Sequence, residues 1–246
     1  MRQKHYENKV LICGIHSCYE AINTNNTKIL RVYLIEDKKY PEWVGKINKN
    51  VVRFVTKEYL DRLVKNNDIA HQGIVIEMLS NSFGTISDLK KNDGSIAILD
   101  NVTDPHNVGA IIRSAAVFGI KAIIVHNRSA CKISETVIKT SSGGLSHVKI
   151  YPVSNIATTI KELKSYGFWI VSLSEKGDKY LHEIDLRGKI CVILGAEGSG
   201  IRRLQLENSD FIAKIPTASY FSTLNVSNAA SITFYEIARQ NNFKIG

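Results

Sequence analysis

Residues 95–126 constrain the fold more than any other part of the chain. An apolar run, "SIAIL", leads into the polar stretch "DNVTDPHNVGAIIRSAAVFG", and a second apolar run, "KAIIVH", follows. Strand, loop, small-residue helix and strand in that order make a β-loop-α-β unit, which requires parallel strand pairing. Loops at the carboxyl ends of parallel strands are where α/β proteins bind and react. In this loop Pro105 restricts the backbone, Asn107 is the expected N-cap, and Gly109 and Ala110 let the start of the helix approach a ligand closely. Gly119 is placed to end the helix at its C′ position. Arg113 is the one charged residue of the helix. It either snorkels to solvent or presents its planar guanidinium to a phosphate or carboxylate.

Two further segments have the same form. In "ICVILGAEGSGIRR" an apolar strand ends at Gly195, followed by Glu197, Gly198 and Gly200. Neither G-x-G-x-x-G nor the Gly-Lys-Ser/Thr of a P-loop is present, so no nucleotide fingerprint is met. Glu197 is left with two readings: a favourable charge at a helix N-terminus, or a ligand contact. In "FIAKIPTASYFSTLNVSNAASITFYEIARQ" a strand ends at Ile215-Pro216, and a loop rich in hydroxyls and amides follows. That loop holds Ser222, Thr223, Asn225, Ser227 and Asn228. Val226, Ala230, Phe234 and Ile237 are then spaced for one buried helix face. Residues of this kind before a helix usually cap it, but their density here exceeds what a cap needs.

The chain divides at residues 80–93. Residues 1–80 read as a small α/β domain, with strands at "KVLICGIH", "KILRVYLIE", "VVRFV" and "GIVIEML". Helices are expected at "SCYEAINT", after Pro41, and at "TKEYLDRLVK" with Thr56 as N-cap. Residues 81–93 read as a linker with a short helix at "ISDLKK". Residues 94–246 form the second domain. The 246 residues carry a formal net charge of +9, which favours a polyanionic partner such as RNA. The charge is spread evenly, +4 over residues 1–90 and +5 over 91–246, so no basic arm stands out. Cys13, Cys18, Cys131 and Cys191 form no C-x-x-C pair and no zinc spacing, so reduced thiols and no metal are expected. No apolar run approaches the length of a membrane span and the N-terminus lacks a signal sequence, so the expectation is a cytoplasmic protein.

Taken in order, "DNVTDPHNVGAIIRSA", "ILGAEGSG" and "IPTASYFSTLNVSNAAS" resemble motifs 1, 2 and 3 of the SpoU (TrmH-type) RNA 2′-O-ribose methyltransferases of the SPOUT superfamily. "GIHSCYEA" and "AHQGIV" resemble the substrate-binding domain found in the large-subunit rRNA guanosine-2′-O-methyltransferases. The resemblance covers nearly the whole chain. It implies a SPOUT α/β-knot, a parallel sheet flanked by helices with a deep C-terminal trefoil knot, preceded by a small L30e-like α/β domain. It implies S-adenosylmethionine as methyl donor, held by Gly195, Ile215 and Leu224 with Leu194, Ala196 and Pro216 beside them. It implies catalytic or RNA-binding roles for Asn107, Arg113, Glu197, Ser222 and Asn225, and a homodimer acting on large-subunit rRNA. Ser199, Ser219, Tyr220, Phe221 and Thr223 depart from the family pattern, which bears on RNA specificity more than on the reaction. A tRNA ribose methyltransferase of the same family, a non-catalytic RNA-binding or ribosome-assembly protein on the same fold, and an unrelated α/β hydrolase are the alternatives. The absence of a P-loop or nucleophile elbow weighs against the last.

Overall fold

Two sheets organise the chain. The computed structural model describes residues 9–23, 28–64, 71–79, 84–127, 135–218 and 223–244. Cys131, Ser219, Tyr220, Phe221 and Ser222 lie outside the described residues.

The N-terminal sheet contains β1 (Lys9–Cys13), β2 (Lys28–Ile35), β3 (Val52–Val55) and β4 (Ile74–Leu79) in the order β1-β4-β2-β3. β4 is antiparallel to β1 and β2, and β2 is parallel to β3. Helices α1 (Ile15–Asn23), α2 (Glu42–Gly45) and α3 (Lys57–Val64) connect them. The Thr56 hydroxyl accepts from Tyr59 N at 3.3 Å, so Thr56 caps α3 as expected. The helix after Pro41 is a single turn, shorter than the sequence reading.

A turn at His71-Gln72-Gly73 leads into β4 and is held by polar groups. His71 Nδ1 accepts from Gly73 N at 3.0 Å, which puts the ring proton on Nε2, 2.9 Å from Asp61 Oδ1. The Tyr40 hydroxyl accepts from Ile35 N at 2.8 Å and lies 2.7 Å from Gly73 O. Gln72 Oε1 accepts from Ile15 N, the first amide of α1, at 2.9 Å.

The short helix expected in the linker is a 3₁₀ turn over Ile86–Lys91. Seven strands follow: β5 (Ile96–Asp100), β6 (Ala122–His126), β7 (Lys149–Val153), β8 (Trp169–Leu173), β9 (Lys179–Tyr180), β10 (Ile190–Gly195) and β11 (Phe211–Lys214). Their order is β7-β6-β5-β10-β8-β11-β9, and every pairing is parallel. All carboxyl ends therefore lie on one side. β5 and β10 are central, so both their faces are covered and they read as unbroken apolar runs. Helices α4 (Pro105–Val117), α5 (Glu135–Ser141) and α8 (Val226–Gln240) belong to one face, where Leu99, Val192, Leu194, Ile111 and Phe234 share a core. Helix α6 (Ile156–Ser165) covers the other, with Ile96, Ile98, Ile160 and Ile193, and α7 (Arg203–Glu207) packs against α6. Phe234 is fully buried. A side chain of that size contributes roughly 1.5–3 kcal/mol by leaving water.

Two local expectations at α4 are corrected. Asp104, not Asn107, is the N-cap: its carboxylate accepts from His106 N at 3.1 Å, with Pro105 at the first helical position. Gly109 does not open the helix to a ligand. A Cβ there would stand 2.6 Å from Thr140 Cβ and 3.0 Å from Val137 O, so the glycine lets α5 pack against α4. Gly119, at φ +73°, does end α4 one residue past its C-cap.

Candidate active site

Three segments meet at the carboxyl ends of β5, β10 and β11. The first is the loop after β5 and the opening turn of α4. Asp104 and Pro105 start the helix early enough to place Asn107 in its first turn, where it is buried. The second is the tight turn after β10. Ala196 and Gly200 form an isolated bridge, with Gly200 N donating to Ala196 O at 2.9 Å. Gly198 and Gly200 take φ of +84° and +65°, the left-handed region that favours glycine. Gly195 is required for a different reason. A Cβ there would come within 2.3 Å of Gly200 C and 2.4 Å of Ile201 N, so any side chain would push the turn away. The third segment is the approach to α8, which Asn225 caps by accepting from Ser227 N at 2.8 Å and Ser227 Oγ at 2.6 Å.

One hydrogen-bonded cluster joins the three. Asn107 Nδ2 donates to Glu197 Oε1 at 3.1 Å. Asn225 Nδ2 donates to Asn107 Oδ1 at 3.0 Å and also to Glu197 Oε1. Asn225 thus serves both readings of its loop: its oxygen caps α8 while its amide reaches across to the other two segments. Glu197 and Asn225 stay exposed above buried Asn107, so the cluster is preassembled yet open to a ligand.

Arg113 lies apart from that cluster. Six residues of α-helix turn it roughly 120° around α4 from Asn107. Its guanidinium Nη1 donates to Ser142 Oγ at 3.4 Å, and its backbone is 3.2 Å from where a Cβ on Gly144 would stand. It is exposed on the side facing α5 and the 3₁₀ turn at Gly144–Ser146.

The six residues expected to hold a cofactor flank the same loops. Leu194 is buried in the core and Gly195 is half-buried, so at this strand end only backbone and the Ala196 methyl face outward. Ile215 is half-buried just beyond β11, Pro216 is exposed, and Leu224 is 38% exposed just before the α8 cap. Among the described residues no group of His, Cys, Asp and Glu could hold a metal ion.

Asp100 and Arg202 were not singled out from the sequence. Asp100 is an acid at the end of an apolar strand, and its partner is 102 residues away. The apolar run stopping at a carboxylate was the only available signal.

The architecture and site define a protein with a parallel α/β sheet that brings three loops together at the carboxyl ends of its strands β5, β10 and β11. Residues 94–235 match the family described as "SpoU rRNA Methylase family", and residues 11–81 match "RNA 2'-O ribose methyltransferase substrate binding". The chain belongs to the SpoU rRNA methylase family. It is 37% identical over 241 residues to a protein of Xylella fastidiosa named 23S rRNA (guanosine-2'-O-)-methyltransferase RlmB, spanning 93% of this chain and 96% of that one. It is 35% identical over 239 residues to the Coxiella burnetii protein of the same name, spanning 93% and 95%. Among solved structures, the SpoU methyltransferase AviRb of Streptomyces viridochromogenes in complex with AdoMet superposes with a TM-score of 0.79. It covers 95% of this chain and 91% of that one at 19% identity, a likeness of fold.

Proposed function

We propose that the protein methylates the 2′-hydroxyl of a guanosine in large-subunit rRNA, with S-adenosylmethionine as donor. The observation that carries this reading is the convergence of Asn107, Glu197 and Asn225, one from each loop, on a single exposed cluster. The names of the relatives supply the substrate. Residues 1–80 then serve as the RNA substrate-binding domain, 81–93 as a linker and 94–246 as the catalytic domain, with the C-terminal part threaded as a trefoil knot.

Leu194, Gly195, Ala196, Ile215, Pro216 and Leu224 are assigned to the cofactor. When bound, S-adenosylmethionine supplies an electrophilic methyl group. The chain's task is to hold a ribose hydroxyl in line with it and to exclude water. Arg113 is assigned to clamp the neighbouring phosphate and orient the hydroxyl. A guanidinium offers donors and no acceptor lone pair, so Arg113 orients rather than abstracts. Glu197 presents an acceptor toward the ribose, Asn225 holds Glu197 in place, and Ser222 is assigned a catalytic or RNA-binding role. Orientation of this kind is worth about 7–11 kcal/mol at best, enough to carry much of the rate.

The protein acts in the cytoplasm as a homodimer. Val117 on α4, Ile232 and Tyr235 on α8, and Phe243 just beyond α8 expose apolar surface, and Tyr235 contacts both Phe118 and Phe243.

Mapping 2′-O-methyl positions in total RNA from a deletion strain tests the substrate. The expected result is loss of one guanosine methylation in large-subunit rRNA. Loss in tRNA instead would overturn the substrate, and failure of the pure protein to bind S-adenosylmethionine or S-adenosylhomocysteine by calorimetry would overturn the reaction.

A further inference from the structure

The turn that carries Glu197 is anchored from beneath. Asp100, the last residue of β5, is fully buried. Arg202, just past the Ala196–Gly200 turn, supplies it with two hydrogen bonds and a further ion-pair contact. The Arg202 backbone N donates to Asp100 Oδ2 at 2.9 Å, Nε donates to Oδ1 at 2.8 Å, and a terminal guanidinium nitrogen reaches Oδ1 at 2.6 Å. Buried Gln205 lies with its side-chain amide against the same guanidinium, and with its oxygen turned inward it accepts from two guanidinium nitrogens at 3.0 and 3.2 Å. The guanidinium fork is therefore held on two sides, which fixes the path of the backbone leaving the turn.

We propose that Asp100 and Arg202 are a positioning pair: they set the height and register of the Ala196–Gly200 turn so that Glu197 meets Asn107 and Asn225. This rests on the methyl-transfer reading above. The pair joins two of the three site loops at their bases. Asp100 opens the first loop, where Asn101 takes φ +60°, and Arg202 closes the second. At the other end of the turn, the missing Cβ of Gly195 lets Gly200 and Ile201 lie against β10. Glu197 is then the tip of a loop pinned at both ends, and its carboxylate has little freedom except through those pins. A buried carboxylate held by an arginine is at best a modest stabiliser, since desolvation offsets the attraction. What the pair supplies here is placement.

Single-turnover methylation of an rRNA fragment containing the target guanosine tests the idea, with Asp100→Asn and Arg202→Lys each made alone and combined with Glu197→Ala. Asp100→Asn is expected to lower the rate constant by about tenfold or more with little change in RNA KM, because misplacement acts on orientation. In the Glu197→Ala background it is expected to add almost nothing, because the group it positions is gone. Equal fold losses in both backgrounds would mean a merely structural pair and would overturn the proposal, as would a rate within about twofold of wild type. Arg202→Lys keeps the charge without the fork. It is expected to show a smaller loss with the same non-additivity, and it carries the test by the same criteria if Asp100→Asn does not fold. An inactive wild type would sink the methyltransferase reading and this proposal with it. An active wild type with unaffected variants would sink the proposal alone.

Discussion

Each sheet carries a polar network at a loop, and the two networks differ in what they leave open. The turn at His71-Gln72-Gly73 closes on itself: His71 is buried, its two ring nitrogens face Gly73 N and Asp61, and the Tyr40 hydroxyl is shared among the backbones of Ile35 and Gly73. The cluster at the seven-stranded sheet has the opposite form. Its base, Asn107, is buried, but the Glu197 carboxylate that Asn107 and Asn225 hold is exposed. A network whose groups are all satisfied by their own chain shapes a fold. One that is rigid but still exposed is prepared for a ligand.

That contrast predicts a separation of effects. The largest is on rate. Glu197→Ala removes the acceptor on which Asn107 and Asn225 converge and is expected to cut single-turnover methylation by roughly 10²-fold. The thermal midpoint should move little, because Glu197 is exposed and water can take its place as acceptor for Asn107. A comparable fall in midpoint would show that the cluster holds the fold as the N-terminal turn does, and the contrast would break.

The second effect is the mirror image. Tyr40→Phe leaves Ile35 N and Gly73 O without their hydroxyl partner. Ile35 N and Gly73 O keep their own hydrogen bond at 3.1 Å, so losing the hydroxyl costs about 0.5–1.5 kcal/mol, and in a chain of this size each kcal/mol moves the midpoint by about 2–4 °C. Methylation at saturating RNA should stay within about twofold of wild type. A rate loss without a stability loss would move this turn from architecture to chemistry.

Sequence alone made some of this readable, for physical reasons that differ from residue to residue. The central strands are legible because burial on both faces leaves an unbroken apolar run such as "ICVIL". Thr56 and Gly119 are legible because capping is a local event. The cap of α4 was misread because Asp104 and Asn107 are both good cap residues three positions apart. Pro105, at the first helical position, was the clue that favours Asp104. Gly109 was misread because only its partner, α5, explains it, and no local pattern reveals a partner helix. The strand order, the two-residue β9 and the pairing of Asp100 with Arg202 depend on contacts far apart in the chain. Asn225 was legible as a loop residue of interest, but its double use as cap and bridge required the geometry.

The smallest effect concerns how separately the two sheets stand. Cys18 lies in α1 under the N-terminal sheet and Cys191 lies in β10, and both are fully buried. Burial pushes both thiols well above the usual cysteine range, so neither is a thiolate in the folded protein at neutral pH. An alkylating reagent should therefore modify neither until its sheet opens. Two considerations compete as urea is raised. The four-stranded sheet has the smaller core and should open first. Against that, β1 packs on α5, and Ile12 and Ile76 share one apolar cluster with Val137 and Ile111. The largest contact between elements of the two sheets is that of β1 with α5, and the seven-stranded sheet has the larger core. Core size should therefore win, with Cys18 labelled at lower urea than Cys191 when peptides are mapped by mass spectrometry. Coincident midpoints would mean that the α5–β1 contact makes the two sheets one cooperative unit. Tyr40→Phe would then weaken the catalytic sheet as much as its own.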